Sequence, residues 1–205
     1  MNTSPALAVN HHANFPGFAG ATGLVAGLTM LISGRSNARL AANHTRVSDP
    51  DRVVDIGCGP GSAIRAAAHR GARATGVDPA PVMLRLAKML THNQPRVNWL
   101  LGAAEDLPLA DNSATVVWSL ATVHHWKDVT KGLAEVKRVL MSGGWFLVIE
   151  RQVRPYATGL ASHGWTGQQA QSFTTQCHGA GFHAARIEER HRGRRGNWVV
   201  QARRP

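Results

Sequence analysis

The residues best placed to do chemistry are Asp55, the glycines at 57, 59 and 61, and Asp78. Residues 53–61 read Val-Val-Asp-Ile-Gly-Cys-Gly-Pro-Gly, an apolar run that enters a glycine loop. Missing Cβ atoms let a ligand approach the backbone and allow positive φ. Pro60 suits the first turn of a following helix, whose N-terminal N–H groups would face an anion. A pyrophosphate fingerprint reads G-x-G-x-x-G, but this loop reads G-x-G-x-G with Ser62 next. Asp55 would also repel a pyrophosphate, and the spacing argues against a nicotinamide dehydrogenase. A zwitterionic amino-acid group fits better, with its carboxylate on the N–H groups and its ammonium near Asp55. Asp78 follows Gly61 by 17 positions, close to the spacing of about 20 at which an acid meets ribose hydroxyls.

A second set begins at His124-His125, just beyond a fourth apolar segment. An imidazole near its reference pKa can serve as a base at neutral pH; the same pair can also simply pack a turn. Adjacent histidines point differently, so at most one is expected to reach a substrate. Arg151, Arg154, Tyr156, His163 and Trp165 follow in a polar loop, where the arginines would clamp a carboxylate or phosphate or remain solvated. His11 and His12 belong to a loose start, 1–14, that would hang over the site. No His/Cys/Asp/Glu set has ligand spacing along the chain, so no metal is expected.

The elements that must position these groups alternate strand and helix. Strands are expected at 52–56, 73–78, 96–101, 114–119 and 145–150, with helices at 60–70, from Pro79-Ala80 to about 92, and at 127–140. A helix capped by Thr166 runs to about 179. A closing antiparallel hairpin, 182–190 and 197–203, turns at Gly193 and Gly196. Two helices, 19–33 and 36–45, come first; Leu24, Leu28, Leu31 and Ile32 share one helical face. The 205 residues make one domain, with 1–47 a helical cap over 48–205.

The formal charge is +11, and 19 of the 23 basic residues are arginine. Arg186, Arg190, Arg192, Arg194, Arg195, Arg203 and Arg204 gather near the C-terminus. They would bind phosphates or form a solvated hairpin face, the preferred reading. Two cysteines make no disulfide framework and fit a reducing, cytoplasmic compartment. Glycines at 20, 23, 27 and 34 dilute the apolar stretch 18–34, so no membrane span is expected.

Four motifs stand in order: the glycine loop, Asp78, Gly102-Ala103-Ala104-Glu105-Asp106 after a third strand, and Ser119 at the end of a fourth. In this the chain resembles the class I S-adenosylmethionine-dependent methyltransferases, within the small-molecule group of ubiquinone/menaquinone type, over about 45–150. The resemblance implies an α/β fold, a doubly wound, seven-stranded, mostly parallel sheet with an antiparallel C-terminal hairpin. It implies S-adenosylmethionine as cofactor and S-adenosylhomocysteine as product. Asp55, Gly57, Cys58, Gly59 and Gly61 would hold the methionyl part, and Asp78 the ribose. Pro79, Met83, Ala104 and Glu105 would meet the adenine, and Ser119 would sit beside the sulfonium. The family usually carries Asp where Ala103 and Thr115 stand. The implied reaction is methyl transfer to the O, N or C atom of a small-molecule acceptor, with His124 or His125 as candidate base. Two alternatives are an RNA- or ribosome-directed methyltransferase, drawn from the charge, and a non-catalytic S-adenosylmethionine-binding protein, drawn from Ala103.

Overall fold

Residues 8–13, 20–192 and 195–205 are described by the computed structural model; the side chains of 20–26, 32, 192 and 195 are not part of that description. Gly193 and Arg194 therefore lie outside the description, as do the side chains of Leu24, Ile32, Arg192 and Arg195.

Alternation of apolar side chains builds two cores, one on each face of a central sheet. Strand β1 (Arg52–Ile56) sends Val53 to one face and Val54 and Ile56 to the other. In β4 (Ala114–Leu120), Val116 and Trp118 oppose Val117 in the same way, and in β5 (Leu140–Arg151) Leu147 and Ile149 oppose Phe146 and Val148. With β2 (Arg73–Asp78), β3 (Val97–Leu101), β6 (His183–Arg192) and β7 (Arg195–Arg203) the sheet has seven strands in the order β3-β2-β1-β4-β5-β7-β6. The first five run parallel, while β7 pairs antiparallel with both β5 and β6. The doubly wound α/β expectation therefore holds.

Helices α1 (Gly20–His44), α2 (Ser62–Ala68) and α3 (Pro81–Leu90) cover the face of Val53 and Val116. The opposite face is covered by α4 (Val129–Val139) and α5 (Gly167–Gly179). Asp128 caps α4 by accepting from the Lys131 N–H, and a Thr166–Gln169 capping box starts α5.

The N-terminal region departs from expectation. One 25-residue helix replaces the two expected at 19–33 and 36–45, because Gly34 and Arg35 carry no signal strong enough to break it. Ala38, Ala41 and Ala42 are buried with α2 and β1, so the second half of α1 is core and not cap. Leu28 is 49% exposed, which removes it from an inward-facing leucine stripe. Gly196 pairs with His191 inside the β6–β7 ladder and is not a turn residue. Pro60 precedes α2 by two residues and is not in its first turn.

Trp99 of β3 explains two glycines on packing grounds. Its indole lies over Gly61 and Gly76 and donates to Thr91 Oγ1 at 3.0 Å. A Cβ on Gly76 would stand 2.5 Å from Trp99 Cε3 and 2.7 Å from Cys58 Sγ. Neither neighbour is the loose end of a flexible chain. Gly76→Ala should destabilise the domain by about 1–3 kcal/mol, read as a lower urea midpoint at unchanged m-value; an unshifted midpoint would show that the indole yields freely.

Candidate functional site

The carboxyl ends of β1, β2, β4 and β5 lie side by side, and the turns leaving them carry the polar groups. In the β1 turn Gly57, Gly59 and Gly61 all have positive φ, at 71°, 51° and 80°. They serve different neighbours. A Cβ on Gly57 would meet Thr122 Cγ2 at 2.6 Å and one on Gly61 would overlap Trp99, whereas among the described residues Gly59 has only Met30 Sδ of α1 within reach, at 3.8 Å. Gly59 is thus the glycine that leaves space open beneath α1.

The loop binds itself tightly. Gly57 and Cys58 both donate to Val77 O at the end of β2, and Gly61 donates to Cys58 O. Gly59 donates to Asp78 Oδ2 at 2.8 Å and Ala80 to Asp78 Oδ1 at 2.8 Å. These N–H groups are therefore spent inside the chain, and the anion expected at the start of the following helix would have to be met by the first-turn N–H groups of α2. Asp78 is 6% exposed, and its two oxygens keep further lone pairs. Asp55 is fully enclosed in the bay beside it. Burial, and then Asp78, push its carboxyl well above the usual range, and its Oδ1 is buried without a hydrogen-bond partner among the described residues. Two neighbouring buried acids, one with an orphaned oxygen, fit a ligand that brings a positive charge. Burial pushes the Cys58 thiol up as well, with Asp78 and Asp55 adding, which suits a small space-filling side chain and not a nucleophile.

The remaining expected contacts are mixed. Pro79 is exposed at the start of the α3 turn. Met83 is 1% exposed, its sulfur against Gly27 of α1. Ala104 is buried in the core, and Glu105 Oε1 accepts from the N–H groups of Lys127 and Asp128. Glu105 thus staples the approach to α4 through one of its carboxyl oxygens. Ser119 is buried and donates to Thr122 Oγ1 at 2.6 Å, while Thr122 donates to Ile56 O at 3.0 Å. This relay ties the end of β4 to the β1 turn. Thr115 pairs with Asp51 Oδ1 at 2.9 Å.

Beyond β4, a short 3-10 turn, Val123–His125, presents both histidines. His124 is buried, its Nδ1 at 2.8 Å from Glu150 Oε2, and Glu150 Oε1 accepts from the Val123 N–H at 2.9 Å. Sequence reasoning missed Glu150. Its signal was an acid closing the otherwise apolar run 145–149, where a buried charge demands a partner.

The two histidines do not diverge. Their ring centroids are 4.2 Å apart, and both face His163 and His12. The tight 3-10 turn brings together what an extended chain would separate. Residues 8–13 are docked here and do not form a loose start. The His12 N–H donates to His124 O, Trp165 Nε1 to Val9 O, and Asn10 Nδ2 to Trp126 O. Trp165 is therefore a buried anchor and not a substrate contact. Arg151 donates to the carbonyls of His163, Leu160 and Ala161, shaping its own loop instead of clamping a ligand. Arg154 and Tyr156 are exposed.

Burial, with the neighbouring histidines, pushes His12 down to about 4 and His125 down to about 3. Burial lowers His163 too, with His124 next. An unfolded chain takes up these protons near 6.5, so below that pH the unfolded state holds more protons and stability falls with falling pH. Thermal midpoints should drop between about pH 7 and about pH 5, less steeply in His125→Gln; parallel profiles for the two proteins would contradict the assignment.

Comparison with known proteins agrees with this geometry. Residues 54–148 match the family described as Methyltransferase domain. An uncharacterized methyltransferase of Mycobacterium bovis is 40% identical over 93 residues, 45% of this chain and 37% of the relative. A demethylmenaquinone methyltransferase of Tropheryma whipplei is 30% identical over 112 residues, 55% of this chain and 46% of the relative. This chain thus spans less than half the length of these curated relatives. Among solved structures, a chain from the complex between the Haloferax volcanii Trm112 methyltransferase activator and a methyltransferase superposes with TM-score 0.78 at 22% identity, covering 88% of this chain and 94% of that one. An S-adenosylmethionine-dependent methyltransferase from Aquifex aeolicus gives TM-score 0.69 at 16% identity, over 82% and 90%. Residues 54–148 are thus similar to a methyltransferase domain, and the fold is shared with the Aquifex aeolicus S-adenosylmethionine-dependent methyltransferase. Among the described residues no helix is long and apolar enough to cross a membrane.

Proposed function

We propose that this chain transfers a methyl group from S-adenosylmethionine to a small-molecule acceptor. The observation that carries the reading is the bay of Asp55 and Asp78, where an orphaned buried carboxyl oxygen sits beside a loop opened by Gly59. Asp55 would take the ammonium of the methionyl group and the first turn of α2 its carboxylate. Asp78 would accept from the ribose hydroxyls while holding Gly59 and Ala80. Gly57, Cys58 and Gly61 shape the loop, Pro79, Met83 and the backbone of Ala104 and Glu105 bound the adenine side, and Ser119 closes the end of β4. The cofactor supplies a carbon already activated by a sulfonium, so the protein's task is alignment and exclusion of water. His124 and His125 border the acceptor side. At about 3 His125 is too weak a base to deprotonate an acceptor at neutral pH. The relative named demethylmenaquinone methyltransferase supports a small-molecule acceptor.

The first half of α1 is the proposed cap. Gly27 packs on Met83 and Leu86, and Met30 lies over Gly59, which closes the cofactor side of the cleft. A cytoplasmic location goes with this reading, in keeping with two buried free cysteines.

The nucleic-acid alternative rests on the charge, and much of the arginine cluster is already engaged. Arg203 lies 4.1 Å over the Trp145 ring, Arg190 pairs with Glu188 at 2.7 Å, and Arg204 bonds Leu140 O. Methyl-labelled S-adenosylmethionine, incubated with the protein and fractionated cell extract, should label a small-molecule fraction. Label confined to RNA would favour the alternative.

A further inference from the structure

His12, His124, His125 and His163 come from three separate stretches of chain and meet at one point. One ligand-capable atom of each lies within 4.8 Å of those of the other three. His124 shows most clearly what they meet for. It is 2% exposed, its Nδ1 is held by a fully buried carboxyl group, and its Nε2 is buried without a hydrogen-bond partner among the described residues. A ring that donates Nδ1–H to a carboxylate carries its lone pair on Nε2, aimed away from the carboxylate. Metal-ligating histidines are oriented in this way. Leaving such a lone pair buried and unmet is unfavourable, and a cation would relieve it.

We propose that these four histidines form a binding site for a divalent first-row transition metal such as zinc, with His124 ligating through Nε2. Four imidazoles suit zinc, copper or nickel, whereas magnesium and calcium require oxygen ligands that this set does not offer. Glu150 is the outer partner, itself fixed by the Val123 N–H. Zinc–nitrogen bonds of about 2.1 Å set tetrahedral nitrogen–nitrogen edges of about 3.4 Å. The four atoms therefore close inward by modest ring rotations, and His12 and His163 stand on loops where such movement is cheapest. His11 is not a ligand: Nε2 meets Ser162 O and Nδ1 meets Gln169 Nε2.

A site filled by four protein ligands is closed, as structural zinc sites are. It would pin residues 8–13 and the loop 151–165 to the turn after β4, fixing the acceptor-side wall. It would also remove His124 and His125 from any role as general base.

The untagged 205-residue chain, stripped with chelator and titrated with zinc, should bind one ion per chain with a dissociation constant below about 1 µM. Cobalt should give the visible spectrum of a tetrahedral site. His163→Ala and His12→Ala, both on loops, should each weaken zinc binding by at least about tenfold while the metal-free protein melts near the parent temperature. His92→Ala, exposed and outside the cluster, should leave affinity unchanged. A stoichiometry well below one, or the same affinity in His163→Ala as in His92→Ala, would overturn the site.

Discussion

Asp78→Ala is expected to cut affinity for S-adenosylmethionine and S-adenosylhomocysteine by about 1–3 kcal/mol, or about 5- to 150-fold. Two losses add. The ribose hydroxyls lose their acceptor on binding, and the N–H groups of Gly59 and Ala80, now held at 2.8 Å each, lose theirs in the free protein. The second loss loosens the loop that the methionyl group must meet, so part of the effect is lost preorganisation. Asp78→Asn keeps one oxygen for a loop N–H and should fall between parent and alanine. Isothermal calorimetry checks both, with a thermal melt run beside each variant to separate loop loosening from unfolding. Affinity equal to the parent's in the alanine variant would mean that the ribose is held elsewhere.

The second large effect concerns Glu150. This residue is 0% exposed at the end of β5 and meets two buried N–H donors, Val123 N and His124 Nδ1. Glu150→Ala leaves both unpaired and opens a cavity between β5 and the histidine turn. Breaking a buried pair by removing one partner costs about 3–5 kcal/mol. In a domain of this size that lowers the thermal midpoint by on the order of 10 °C. Glu150→Gln retains shape and one acceptor and should cost much less. The same substitution should loosen residues 8–13, because the His12 N–H rests on the carbonyl of His124. Amide exchange at His12 reports this separately from global stability. An alanine variant within about 0.5 kcal/mol of the parent would show that the pair is not a structural link.

What could be read from the sequence was local. Short apolar runs ended by Asp55, Asp78 and Ser119 mark strand ends because a buried parallel strand leaves few alternatives for Val-Val-Asp-Ile or Thr-Gly-Val-Asp. The C-terminal hairpin is what the resemblance implies, while Gly196, expected at its turn, lies inside the ladder. Harder to read was anything set by a distant partner. Gly61 and Gly76 look like ligand and strand glycines, yet each makes room for Trp99, and no short-range pattern ties position 99 to position 61. Arg151 and Trp165 have the types of binding residues but spend their donors on carbonyls at 160, 161, 163 and 9. The histidine cluster draws on positions 12, 124, 125 and 163, and only a folded sheet edge brings them together. Spacing rules for metal ligands see contiguous motifs, which is why they found none here. The continuity of α1 was missed for a related reason: tertiary burial of Ala38, Ala41 and Ala42 outweighs the helix cost of Gly27 and Gly34.

Calorimetric titration of the full chain with S-adenosylhomocysteine and, in parallel, with NAD tests the central claim most directly. The bay of Asp55 and Asp78 predicts one S-adenosylhomocysteine per chain with micromolar affinity, about −8 kcal/mol, and no heat from NAD. Binding of NAD with none of S-adenosylhomocysteine would contradict it.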